Sequence, residues 1–227
     1  MMTIITEEKP SDSIYVETIT RGRTTSDGWA IRPAEVHWHM VLLKLNGNMQ
    51  LLVVGPWTSS GVISYGAGAE LLWIKFKLGT YMPHFLVRNY RDVETTLPNA
   101  ASRSFWLKGS VWQFPDYENV DTFINWLVRE EVLVRDPVVG VALQGSPQDE
   151  ISPRTLRHRF LQATGVSQSQ IRQMKRAQQA AMLLEQGTSI LDTVFETGYF
   201  DQSHLTRSLK QLIGYTPAQI TKKTQAN

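Results

Sequence analysis

Residues 190–217 read ILDTVFETGYFDQSHLTRSLKQLIGYTP, and their spacing decides the architecture of the second half of the chain. Gly198 and Gly214 each stop an apolar-periodic run, the place where a residue free to take a left-handed backbone ends a helix. Asp201 stands just ahead of the second run, where a side-chain oxygen can accept the orphan N–H groups of a helix start. Leu205, Leu209 and Leu212 then fall on one face, and Ser203, Arg207 and Lys210 on the other, flanked by Gln202, His204 and Thr206. The spacing predicts a helix over 190–197, a tight turn, and a second helix from Asp201 to Ile213.

Working backwards, Ser152 to Gly165 repeats that layout. Ser152-Pro153 is a capped start, because Ser satisfies the first N–H groups and Pro loses nothing at the first helical position. Leu156, Phe160 and Ala163 face inward and Arg154, Arg157 and His158 outward. A longer helix, Ser169 to Gln186 with the stripe Ile171, Met174, Ala177, Ala181 and Leu184, joins the two units, and Pro217 opens a short last helix. A helix of about 12 residues is roughly 18 Å long and fits along a major groove. The outward side chains are donors and mixed donor–acceptors rather than carboxylates, as contact with phosphates and base edges requires.

Charge follows the same division. Residues 1–151 hold 13 Lys and Arg against 17 Asp and Glu, a net −4, and residues 152–227 hold 10 against 4, a net +6. All seven tryptophans lie in the first part. An acidic, aromatic-rich half joined to a basic, Trp-free half implies two domains with different partners. The polar stretch Gly145-Ser146-Pro147-Gln148-Asp149-Glu150 separates them, giving domains over 1–145 and 146–227.

The first half reads as strands. Ser13 to Thr20 alternates, Ala69 to Leu78 does the same, and Val36 to Leu45 and Met49 to Val54 flank the turn Asn46-Gly47-Asn48. From Val120 to Val134 the period becomes helical, with Asp121 as the expected N-cap.

Residues 152–220 resemble the DNA-binding domain of the AraC/XylS family of transcriptional regulators. The stretches that carry the resemblance are SPRTLRHRFLQATGVS, RAQQAAMLL, and SILDTVFETGYFDQSHLTRSLKQLIGYTPAQI, with Gly198-Tyr199, Asp201-Gln202-Ser203 and Gly214-Tyr215-Thr216-Pro217 as the most specific part. The resemblance implies base reading by Arg154, Arg157 and His158 in a first recognition helix, and by Gln202, Ser203, His204, Thr206 and Arg207 in a second. Ser152, Lys175, Arg176, Asp201 and Lys210 are the expected phosphate contacts, by charge or by helix dipole. It also implies an α+β chain whose N-terminal β-rich, barrel- or cupin-like domain is a sensor or dimerisation domain. Double-stranded promoter DNA and RNA polymerase are the implied partners, with a small-molecule effector and a homodimer as further expectations. Two departures stand out. LQGSPQDEI, with Gly145 and Pro147, interrupts the helix that normally precedes Ser152, so the supporting helix is either shortened to Asp136–Leu143 or replaced, and Val194 holds a position usually given to Ala.

Competing classes leave weaker traces. His37-Trp38-His39 has the His-x-His spacing of a cupin metal site, with His84 as a third ligand, yet Leu42 and Leu43 stand where a cupin glutamate would be. Gly66-Ala67-Gly68 lacks the third glycine of a dinucleotide loop, and Val62-Ile63-Ser64-Tyr65-Gly66 lacks the first glycine of a nucleophile elbow. Asp116, Glu118 and Asp121 suit a helix dipole better than catalysis. A protein-interaction adaptor would leave the arginines as a solvated face. The absence of cysteine excludes disulfides, thiolate metal sites and thiol nucleophiles. The apolar runs are far shorter than the roughly 20 residues of a membrane helix. The expectation is a non-enzymatic cytoplasmic protein without a cofactor.

Overall fold

The structure is a computed structural model and describes residues 4–143 and 152–225. Thirteen strands and seven α-helices are formed among the described residues. The strands are β1 (Ile4–Pro10), β2 (Val16–Thr24), β3 (Gly28–Arg32), β4 (His39–Leu45), β5 (Asn48–Val54), β6 (Gly61–Tyr65) and β7 (Glu70–Phe76). They continue with β8 (Thr80–Tyr81), β9 (Glu94–Thr96), β10 (Asn99–Ala101), β11 (Ser104–Leu107), β12 (Ser110–Gln113) and β13 (Val134–Arg135). The helices are α1 (Val120–Arg129), α2 (Pro137–Leu143), α3 (Pro153–Thr164), α4 (Gln168–Glu185), α5 (Ile190–Thr197), α6 (Gln202–Leu212) and α7 (Pro217–Gln225). The fold is α+β, β-rich first and helical after.

Six strands make one antiparallel sheet in the order β1-β2-β7-β4-β5-β9. Its tightest corner is the β4–β5 hairpin, where Asn46 at φ 52° and Gly47 at φ 80° form a two-residue turn between Leu45 and Asn48. Positive φ at both positions matches the twist of the flanking strands, which is why Asn-Gly sits there. Alternate residues of β7 (Leu72, Ile74, Phe76) are buried with Met40 and Leu42 of β4 and Leu51 and Val53 of β5. Trp38 stacks on Phe76 at 3.9 Å, and its indole N–H donates to the Thr80 carbonyl at 2.6 Å. Among the described residues β1 and β9 are the outer strands of this sheet.

Three local expectations change. The strand expected from Ser13 starts at Val16 and runs on to Thr24, paired with β1 over Thr18–Thr24. The helix expected to Val134 stops at Arg129, because Glu131 turns left-handed at φ 52° and Val134 joins β8. Asp121 lies one residue inside that helix, not at its cap, and faces Lys9 and Ser11 instead.

By contacts the chain forms two compact units. One is Met1–Trp29, His37–Pro56 and Ser64–Ser167, and the other is Ala30–Val36, Trp57–Ile63 and Gln168–Asn227. The boundary expected at residue 145, with Gly145 and Pro147, lies outside the described residues. The contact division falls later, after α3, and brings two segments of the first half into the second unit. No described helix is long and apolar enough to cross a membrane.

Candidate nucleic-acid interface

In the second unit α6 is built from local signals. The Asp201 carboxylate accepts the His204 N–H at 2.6 Å and starts the helix. Leu205, Leu209 and Leu212 are buried, while Gln202, Ser203, Arg207 and Lys210 are exposed. His204 and Thr206 are half-buried at the edges of that face. α5 begins on Ser189, whose Oγ accepts the Asp192 N–H at 3.1 Å, and ends on Gly198 at φ 68°. Tyr199, buried in the turn, ties the pair together: its hydroxyl lies 2.8 Å from Ser208 Oγ and His204 meets its ring edge-on at 5.1 Å.

Arg176 of α4 lies over the Tyr199 ring, 4.3 Å from its centroid. It shares a concave pocket of about 390 Å³ with His204, Arg207, Gln173 and Thr58. No carboxylate is among the lining residues, so the pocket is cationic. Lys175 is exposed one residue earlier. The Lys210 ammonium reaches the Gly214 carbonyl at 3.4 Å, so it serves the end of α6 as well as facing solvent.

The C-terminus of α6 is closed by residues that are far from it in the chain. The Ala34 N–H donates to the Leu212 carbonyl and the Ser60 N–H to the Gln211 carbonyl, both at 2.7 Å, and Ser60 Oγ donates to the Lys210 carbonyl at 3.2 Å. These last-turn carbonyls have no partner within the helix. A partner some 150 residues away leaves no signal in local spacing. The sequence reading also passed over Leu191, Phe195 and Phe200, which are 72%, 88% and 90% exposed. Leu191 and Phe195 lie four residues apart on α5, a spacing that could have marked them.

α3 belongs to the first unit. Ser152 Oγ accepts the Thr155 N–H at 3.2 Å and Gly165 ends the helix at φ 71°. Arg154, Arg157 and His158 are exposed, and Phe160 and Ala163 are buried. Arg159, which the sequence reading did not single out, grips Asp136 with two nitrogens at 2.9 and 2.8 Å. That hydrogen bond, with the nearby negative charge, raises the Arg159 pKa further and keeps it charged. Asp136 also accepts the Val138 N–H at 2.9 Å, capping α2.

Of the two helix starts expected at phosphates, Asp201 places its own carboxylate on the positive end of α6, whereas Ser152 caps α3 without adding charge. Of the two histidines of the cupin alternative, His37 precedes β4, and His39 is buried edge-on to Trp73 at 5.7 Å. Among the described residues no three His, Cys, Asp or Glu are disposed to hold a metal.

Residues 150–223 match the family described as a helix-turn-helix domain. A curated relative, the HTH-type transcriptional regulator RipA of Corynebacterium glutamicum, is 35% identical over 92 residues, which are 40% of this chain and 28% of RipA. The chain therefore spans little more than a quarter of that relative's length. No solved structure matches the chain. On the match and on the α5–α6 geometry together, residues 150–223 are an AraC-type helix-turn-helix domain.

Proposed function

We propose that the protein is a sequence-specific transcriptional regulator that reads promoter DNA through the outward faces of α3 and α6. The observation that carries this reading is the exposed polar row Gln202, Ser203 and Arg207 on a helix whose opposite leucines are all buried. Arg pairs bidentately with guanine and Gln with adenine in the major groove. His204 and Thr206 flank that row, and Arg154, Arg157 and His158 supply a second one on α3. Lys175, Arg176, Lys210 and the α3 start at Ser152 are the phosphate contacts. The β-rich first half then has the role of biasing this reading, through an effector or a second copy.

The test starts from a site selected out of randomised duplexes by the full chain. Arg207→Ala is expected to cost about 1–3 kcal/mol on that site and little on random DNA, read by fluorescence anisotropy at fixed salt. Equal losses on both would make Arg207 a phosphate contact only. Failure of the full chain to enrich any sequence would remove the proposal.

A further inference from the structure

An aromatic concavity of the first unit lies between the β11–β12 hairpin and α1, and none of its lining residues is one placed on DNA. It has a volume of about 590 Å³, within the roughly 300–1,000 Å³ typical of small-molecule sites. Trp112, Phe114, Phe123 and Trp126 supply its apolar walls. Phe114 and Phe123 are buried at its base, whereas Trp126 is 60% exposed at the rim. Trp112 meets Phe123 edge-on at 6.3 Å. The indole N–H of Trp112 donates to the Leu107 carbonyl at 3.1 Å, so what this residue offers a ligand is ring surface.

The charges at the rim choose among ligands. Glu130 is the one carboxylate in the lining, and it has no ion-pair partner among the described residues. It sits at the C-cap of α1, where the unsatisfied carbonyls carry the negative end of the helix dipole. That end already holds one cation: the Lys108 ammonium, the only basic group in the lining, donates to the Glu130 and Glu131 carbonyls at 3.0 and 3.2 Å. Aromatic faces attract cations through their quadrupole, Trp most strongly. With the helix C-terminus already taken by Lys108, the two tryptophans and the Glu130 carboxylate are what favour positive charge on an apolar body.

We propose that this cleft binds a hydrophobic organic cation of small-molecule size, held between Trp112 and Trp126 with its charge toward Glu130. The proposal is independent of DNA binding and is tested without DNA. The full chain is titrated with tetraphenylphosphonium and, separately, with tetraphenylborate, an anion of the same shape, while tryptophan fluorescence is recorded. Saturable quenching by the phosphonium, about tenfold tighter than by the borate, is expected from combined ring and carboxylate attraction. Trp126→Ala should weaken the phosphonium about tenfold, and Trp126→Phe, which keeps a ring, should weaken it less. Glu130→Gln should shrink the preference between the two ions. Equal binding of both ions, or phosphonium binding unchanged in Trp126→Ala and Glu130→Gln, overturns the proposal. So does a concentration-dependent dimer that excludes the phosphonium and is lost in Trp126→Ala, since a second copy would then fill the cleft.

Discussion

At Gly214 the backbone runs at φ +91°, and a Cβ built there would lie 2.4 Å from Ile31 Cγ2. Gly187 has nearly the same angle, φ +90°, with nothing within 4 Å. The pair separates backbone strain from packing. Gly187→Ala is expected to cost about 1–2 kcal/mol, the left-handed penalty alone. Gly214→Ala should cost about 1–3 kcal/mol more, from overpacking against a neighbour. Combining Gly214→Ala with Ile31→Ala should recover part of that excess, and additive denaturation energies would show that the two side chains do not meet. A second residue-scale expectation concerns His84, whose pKa is lowered first by burial and then by the Lys108 charge. The unfolded chain then binds this proton at a higher pH than the folded one does. Stability should fall as pH drops below the unfolded value of about 6.5, and the loss is complete once pH passes below the folded pKa. His84→Gln should flatten the denaturant midpoint between about pH 7 and 5; an unchanged slope would assign it to other groups.

The elements differ in how much their own residues disclose. α5 runs over Ile190–Thr197 as its spacing predicts, and α6 begins on Asp201 as its cap predicts, because caps, leucine stripes and left-handed glycines act within one or two turns. The Asn46-Gly47 hairpin is legible for the same reason. The sheet order β1-β2-β7-β4-β5-β9 is not, since β2 finds β7 across more than 40 residues and nothing in either strand names its partner. Leu205 fixes which face of α6 turns outward, but no periodicity could assign Ala34 and Ser60 to its end. α3 shows both cases. Its capped start and apolar stripe are read directly, whereas its attachment is the Arg159–Asp136 pair, made across the replaced segment before Ser152. Arg159→Ala leaves the Asp136 carboxylate, 8% exposed, without its charged donor. The expected loss is about 1–3 kcal/mol of unfolding free energy. Arg154→Ala, one turn earlier and fully outward, should cost less than about 0.5 kcal/mol. Equal effects would make the pair a surface ornament of α3.

For the whole molecule, the family match and the compact units do not coincide. The match spans 150–223, while the unit that contains α6 also takes in Ala30–Val36 and Trp57–Ile63. A chain cut at residue 152 would keep every helix-turn-helix residue but lose the Ala34 and Ser60 donors, leaving the Gln211 and Leu212 carbonyls to water or strain. It would also lose Asp136, the partner of Arg159, so α3 and α6 would each part from a support at once. Each lost hydrogen bond is worth about 0.5–1.5 kcal/mol, and one to a charged group about 1.5–3 kcal/mol. The fragment 152–227 is therefore expected to melt below the full chain, with faster amide exchange concentrated in the last turn of α6 and in α3. Removing one cap from the full chain separates this account from a general size effect. In the full chain, Ala34→Pro deletes one N–H donor while leaving length unchanged, and should speed exchange in the last turn of α6 while leaving that of α3 alone. If the fragment and the full chain exchange alike over residues 202–212, the two N-terminal segments touch α6 without holding it.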